Sequence, residues 1–288
     1  MTNAIRPDIP PAMPPSAMPP DGHGQDSHGQ RRFGRINRLG LLTLIEREVL
    51  RFLVVWTQTL LAPLVTAALF LAVFALAIGP ARGDVRGVPF LDFLAPGILM
   101  MTVIQNAFAN TSSSLLISKV QGNIVDTLMP PLSPAELMVG YLVGALARGL
   151  AIGGLVVAGL WLGLRIVPVS PGWTLAFIVL GALMLGAAGI VAGIWAGRFD
   201  QMAALTNFVV VPLSFLSGTF YSVDSLPQAL QLVTRFNPVF YLIDGVRHGM
   251  TGVSDALPLH GLLICIATVM ALAGLGWHWF RRGYRLKP

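Results

Sequence analysis

Apolar residues run along this chain in six long stretches, at about 53–79, 93–118, 137–164, 172–197, 202–223 and 256–280. Each reaches the ~20 residues that a helix needs to cross ~30 Å of hydrocarbon. Five contain no Asp, Glu, Lys or Arg and the third contains only Arg148, so the pattern predicts an all-α polytopic membrane protein with six transmembrane helices. Ahead of the first stretch, Arg31, Arg32, Arg35, Arg38, Arg47 and Arg51 surround Leu41, Leu42, Leu44, Ile45, Val49 and Phe52. This is an imperfect amphipathic helix, either an N-terminal interface helix along a membrane face or the flank of the first span. Between the fifth and sixth stretches, residues 224–255 are too long and too apolar for a simple connector. SLPQALQLVTRF and NPVFYLIDGVRHGM carry apolar residues at helical spacing, and Pro238 is placed to open the second helix after Asn237. They form either a re-entrant helical hairpin dipping into the outer leaflet, its backbone hydrogen-bonded internally, or two interfacial helices.

Composition sharpens this picture. The 288 residues are 55% hydrophobic and only 11% charged, less than half the roughly 25% charge of an average soluble domain. Mean hydropathy is +0.72, and an ordinary soluble protein is excluded. The net charge of +6 comes from basic residues beside apolar spans rather than from a basic domain, which fits topology signals and gives no nucleic-acid partner. Six spans put both termini on one side of the membrane. With cytoplasmic termini, twelve Lys/Arg lie inside (the six arginines above, Lys119, Arg198, Arg281, Arg282, Arg285 and Lys287) against five outside (Arg82, Arg86, Arg165, Arg235 and Arg247). The positive-inside rule therefore predicts both ends in the cytoplasm. Residues 1–37 read as a disordered Pro/Gly-rich tail: seven of the 21 prolines fall within the first 30 residues, without an apolar run that could serve as a signal-peptide core. His23 and His28 on such a tail are far more often solvated than metal-bound. Cys265, the single cysteine, excludes an internal disulfide and a cysteine-rich metal site.

The spans also restrict the chemistry. None holds a carboxylate, whereas a proton- or sodium-coupled carrier usually needs intramembrane acids or broken-helix ion sites. Arg148, near the middle of the third span, either meets an anionic substrate group or a partner, or snorkels to an edge. Small-xxx-small spacings such as Gly140/Gly144, Gly149/Gly153, Gly159/Gly163 and Gly189/Gly193 mark packing faces, more often within one chain than between copies. Ser214 or Ser217 with His260 could serve an intramembrane hydrolase, but no nucleophile motif surrounds either serine. A Walker A loop needs Gly-Lys followed by Ser or Thr, and neither Lys119 nor Lys287 fits. If the chain moves something, it is no enzyme and holds no cofactor of its own; a partner docked on the cytoplasmic face must hydrolyse the ATP. The best docking surface is SKVQGNIVDTLMPPLSPAE, residues 118–136, where a short helix at 123–129 stopped by Pro130-Pro131 would present Ile124, Val125 and Leu128 as an apolar knob. A stand-alone channel or secondary carrier is the alternative.

The order of these parts resembles the permease subunits of ABC-2 type exporters over roughly residues 38–285. The resemblance rests on the basic lead-in, the six spans, Gly122 with Pro131-Leu132-Ser133-Pro134-Ala135-Glu136, then Gly140 and Arg148, and finally Asn237, Pro238, Tyr241 and Arg247. VWTQTL (55–60) and FLAPGILMM (93–101) are most similar to the NodJ and YadH group of bacterial inner-membrane permeases. The resemblance implies two cytoplasmic ABC ATPase subunits, a second permease copy as homodimer or a related one, and outward movement of a lipid-linked saccharide, lipid or amphiphilic drug among membrane lipids. It implies coupling to the ATPase through Glu48, Gly122, Ile124, Leu128, Pro131 and Glu136, and a substrate path near Arg148, Asn237, Tyr241 and Arg247. Residues 286–288 are left as a cytoplasmic end.

Overall fold

The computed structural model describes residues 37–77, 79 and 83–286, and the Pro-rich tail lies outside them. Among the described residues the regular structure is helical. Helix α1 (Arg38–Val54) leads through a wide π-helical turn, Thr57–Leu61, into α2 (Ala62–Ala77). Then come α3 (Phe90–Val120), the short α4 (Ile124–Leu128), α5 (Pro134–Leu164) and α6 (Pro171–Trp195). Next, α7 (Phe199–Leu205) continues through a second π turn, Thr206–Val210, into α8 (Val211–Phe215). A 3₁₀ turn at Val223–Ser225 precedes α9 (Gln228–Phe236), α10 (Pro238–Thr251) and α11 (Pro258–Arg282).

Among the described residues, five helical segments are long and apolar enough to cross a bilayer: Thr57–Ala77, Phe90–Val120, Pro134–Leu164, Pro171–Trp195 and Pro258–Arg282. The stretch expected as a fifth span in sequence order, 202–223, is instead a helix of 17 residues over Phe199–Phe215, ending in a turn where Gly218 takes a positive φ of 76°. Both π turns stand just ahead of a proline, Pro63 and Pro212. A proline inside a helix donates no bond to the residue four before it and crowds that carbonyl, and a wider turn relieves the crowding. The chain also bends at Val55–Trp56, so the first span starts at Thr57 rather than at 53.

Helices α3 and α6 form the most extensive pair in the molecule and carry the core. In the most apolar stretch of α3, 67% of residues are buried inside the chain, against 11% for α2 and 17% for α11. Phe93, Leu94, Leu99, Ile104 and Phe177 are fully enclosed. The glycine spacings mostly serve this packing. A Cβ on Gly149 would stand 2.6 Å from Ala182, and one on Gly189 2.5 Å from the Phe108 carbonyl oxygen. Gly163 faces open space, and a Cβ on Gly159 would touch Leu64 of α2 alone; both line an apolar groove between α5 and α2.

Two boundaries differ from the sequence reading. Asn37, assigned to the tail, caps α1: its Oδ1 accepts from the Gly40 N–H at 3.0 Å. Leu286, assigned to the C-terminal end, is buried in the cluster that holds Leu44, Ile124 and Phe280.

Candidate functional site

Leu44, Glu48 and Phe52 are the buried residues of α1. Their four-residue spacing puts them on one face, toward the bundle, and Glu48 is therefore a carboxylate pressed into a helix interface. Its environment compensates the charge. Arg47 and Arg51 each place a guanidinium nitrogen 3.3 Å from a Glu48 oxygen, and the Ser114 hydroxyl on α3 donates to Glu48 Oε1 at 2.7 Å. The two arginines spread outward from there. Arg47 donates to Thr127 Oγ1 on α4 at 3.0 Å and to the Tyr141 hydroxyl on α5 at 3.3 Å. Arg51 donates to the Asn110 carbonyl at 2.6 Å and to Ser113 Oγ at 3.2 Å, both on α3. One joint thus links the lead-in helix, two long spans and the loop between them. Gly144 makes room for it, since a Cβ there would come within 2.7 Å of Glu48 Cβ.

A second contact pins the start of α1 to the same loop. Glu136 closes a capping box with Ser133 at the head of α5, and its Oε1 also accepts the Asn37 N–H at 2.5 Å. Pro131 contributes its carbonyl, 3.5 Å from the Asn37 amide nitrogen. Gly122 takes a positive φ of 76° ahead of α4, a turn that a residue with a Cβ would strain. Of the expected apolar knob, Val125 is half-exposed but Ile124 is 3% exposed. It belongs to the cluster of Leu44, Leu115 and Leu137. The knob is therefore not formed as expected, because the same helix turn that points Val125 outward points Ile124 at the bundle. Leu128 lies in the last turn of α4.

The other end of α3 carries a second charge network. Arg247 on α10 is 1% exposed, donates to the Phe93 carbonyl at 3.4 Å and to the Gly218 carbonyl at 2.6 Å, and lies 3.9 Å above the Phe93 ring. Asp244 and Asp255 face it at 4.0 and 3.8 Å. Asp244 also accepts the backbone N–H groups of Asp255 and Ala256 at 2.6 and 2.9 Å, and Arg86 pairs with Asp255 at 3.0 Å and with Asp224. Asn237 caps α10 through Val239 and donates to Leu213 and Ser217 of the preceding segment at 3.2 and 2.6 Å. Tyr241 donates to the Arg235 carbonyl at 3.0 Å. Three of the four residues expected along a substrate path, Asn237, Tyr241 and Arg247, are thus tied into the α9–α10 segment and its supports.

Arg148 stands apart from both networks. It is 9% exposed and donates to Asn106 Oδ1 on α3 at 2.7 Å. No described carboxylate forms an ion pair with it. Asn106 lines a cavity of about 320 Å³ between the start of α2 and α3, together with Gln58, Thr66, Thr102 and Gln105. Arg148 is not part of that lining; it stands behind Asn106, whose side-chain oxygen it holds. The serines that might have served hydrolysis are occupied locally: Ser214 donates to the Val210 carbonyl and Ser217 to the Leu213 carbonyl, and neither forms a hydrogen bond with His260.

The sequence reading missed Arg47, Arg51, Asn110, Ser114 and Tyr141 as a set, and Asp244 with Asp255. One signal was there to use. Glu48 falls in register with Leu44 and Phe52, and an acid on the apolar stripe of a helix needs buried partners.

Fold and site together define a polytopic helical membrane domain whose basic lead-in helix is tied to a loop between two spans. The ABC-2 type transporter family model matches residues 40–251. The chain is 35% identical over 244 residues to the inner membrane transport permease YadH of Escherichia coli strain K12, covering 84% of this chain and 94% of that one. It is 28% identical over 222 residues to nodulation protein J of Rhizobium leguminosarum bv. viciae, covering 74% and 83%. The chain belongs to the ABC-2 type transporter family. Members are the non-catalytic transmembrane subunits of transporters, and membership carries with it an ABC ATPase as partner and a multi-pass place in the inner membrane.

Proposed function

We infer that this chain is the membrane half of an ATP-driven exporter in which two copies meet two cytoplasmic ATPase subunits that bind and consume the ATP. The observation that carries the reading is the Glu48 joint. Any push on α4 reaches Arg47 through Thr127, Glu48 through Arg47, and α3 through Ser114 and Asn110. The surface offered to the ATPase is Val125 with the turn at Gly122 and the loop at Pro131, all exposed; Glu48 and Glu136 hold that surface to α1, and Ile124 anchors it from beneath. Leu128 completes α4.

Both termini face the cytoplasm in this reading. Its support is that Arg47, Arg51, Lys119 and Arg285 all bond to the same end of the bundle, with Lys119 and Arg285 on carbonyls at the end of α6. The α9–α10 hairpin, at the opposite end, enters the outer leaflet. Exposed Leu232, Val233 and Phe236 on α9 suit that position. The cargo is an amphiphile, a lipid-linked saccharide, a lipid or a drug, whose polar group passes the cleft beside Asn106, with Arg148 behind it, while its tail stays against α2.

Co-purification of the tagged chain from mild-detergent membranes, followed by reconstitution of the complex, tests this. The expected result is a nucleotide-binding subunit at one to one whose ATPase activity drives transport and is uncoupled by Glu48→Gln. Transport by the purified chain alone would replace the exporter with a channel or carrier.

A further inference from the structure

The cytoplasm-proximal end of the bundle holds a cavity that the coupling joint does not use. It measures about 400 Å³ and is lined by Lys119, Arg198, Gln201, Arg285, Trp195 and Ile124 among others, with no carboxylate in the lining. Its cations differ in what they have to spare. Lys119 Nζ is spent on the carbonyls of Gly193, Ile194 and Ala196 at 3.3, 2.7 and 2.6 Å, so it supplies charge at the end of α6 but no open donor. Arg285 gives one nitrogen to the Trp195 carbonyl at 2.9 Å and keeps the rest of its fork. The Arg198 side chain is exposed and has no hydrogen bond or ion pair with any described residue. The Gln201 carbonyl accepts from the Gly197 N–H at 2.9 Å, which leaves its amide free to donate.

The level of the cavity matters as much as its charge. Helices α3, α6 and α11 all end beside it, at Val120, Trp195 and Arg282, which is where hydrocarbon gives way to water. Trp195 and Phe199 are 40% and 54% exposed, an aromatic edge of the kind found at headgroup depth. An acidic side chain from a docked protein needs the charge alone; three converging cations with an apolar rim at this depth also match a phosphate that carries acyl chains.

We propose that this cavity is a binding site for the phosphate headgroup of an anionic phospholipid from the adjacent leaflet, with Arg198, Arg285 and Gln201 as donors and Lys119 as fixed charge. The proposal rests on the cytoplasmic orientation inferred above. Because Gly122 and Ile124 border the cavity, a headgroup seated there touches the start of the coupling segment and ties its position to the charge of the inner leaflet.

The test uses the full-length chain purified without an ATPase, with dioleoyl phosphatidylglycerol or dioleoyl phosphatidylcholine added and retained lipid read by native mass spectrometry. Wild type is expected to retain phosphatidylglycerol over phosphatidylcholine. Arg198→Gln, which breaks no internal bond, lowers phosphatidylglycerol retention about five-fold, and Arg198→Gln with Arg285→Gln lowers it further. Phosphatidylcholine adducts stay unchanged in both variants, and Arg281→Gln/Arg282→Gln, at the end of α11, retains wild-type preference. Equal retention of the two lipids, undiminished phosphatidylglycerol in the Arg198 variants, or equal loss in the Arg281/Arg282 variant overturns the site. Displacement of phosphatidylglycerol by millimolar inorganic phosphate would reassign it to a free anion. Loss of ATPase co-purification in Arg198→Gln with lipid retention unchanged would reassign it to the protein partner. Since lipid retention is read on the permease alone, failure to recover any ATPase would sink the exporter reading without touching this result.

Discussion

Two buried charge networks sit at opposite ends of α3, one around Glu48 near Ser114 and one around Arg247 near Phe93. Phe93 and Ser114 are 21 positions apart on α3, about 30 Å of helix. The two networks are built differently. At the Arg247 end the central groups are sealed, with side-chain exposures of 1% for Arg247 and 3% for Asp244 and Asp255, and only the peripheral Arg86 and Asp224 reach solvent. At the Glu48 end only the acid is sealed: Arg47 and Arg51 remain 43% and 30% exposed. Taking a sealed pair apart leaves bare charge in a poor solvent, whereas a half-open pair can exchange protein partners for water as it moves. The Arg247 end is therefore the fixed corner of the bundle, and the Glu48 end is where rearrangement costs less.

The largest expected effect breaks the fixed corner. Arg247→Leu leaves Asp244 and Asp255 facing an apolar side chain and should cost about 3–5 kcal/mol, read as a fall in the melting temperature of the detergent-purified chain. Asp244→Asn added to it should restore part of the loss. A single variant that melts like wild type would show that the corner is not a clamp.

Next comes crowding of the joint. Gly144→Val drives a side chain into Glu48 Cβ and should destabilise by about 1–3 kcal/mol. Cross-linking between cysteines placed on α1 and α5 should fall in parallel; unchanged cross-linking would mean that α1 is not held there.

Glu48→Gln sharpens the comparison, because it keeps the shape and the Ser114 bond while removing the charge. The expected outcome is a chain that folds and reaches the membrane at wild-type levels with coupled transport lowered about tenfold, the worth of about one charge-assisted hydrogen bond. Equal loss of folding and transport would make the joint merely structural. Smaller again, Asn37→Ala removes the cap of α1 and should cost about 1 kcal/mol, measurable as faster hydrogen exchange in the first turn of that helix. Arg86→Gln is smallest. Its side chain is 31% exposed, its pairs with Asp224 and Asp255 are bathed by solvent on one side, and less than about 1 kcal/mol should be lost in the same melting assay.

Much of this architecture was legible residue by residue. The two helices α9 and α10 followed from helical spacing and from Asn237-Pro238, because a capping amide followed by proline is a local instruction that tertiary packing did not need to supply. The break in the fifth stretch was less legible. Hydropathy averages over a window and does not register that Pro212 widens a turn or that a helix stops at Phe215. The apolar knob failed at Ile124 for a related reason: a helix of one and a half turns has two faces, and only the position of Leu44 and Leu115 decides which one is covered.

The sequence by itself determined that the chain lives in a bilayer, which stretches are helical, and that it lacks a nucleotide-binding loop, since length, apolarity and motif spacing are properties of the linear order. Tertiary structure decided which charges are sealed and which stay wet. Glu48 and Glu46 stand two residues apart, one enclosed and one exposed, and Arg148 and Arg247 are both buried arginines of which only Arg247 faces acids. Burial and partnership depend on what other helices bring within a few ångströms, and no reading along the chain contains that distance.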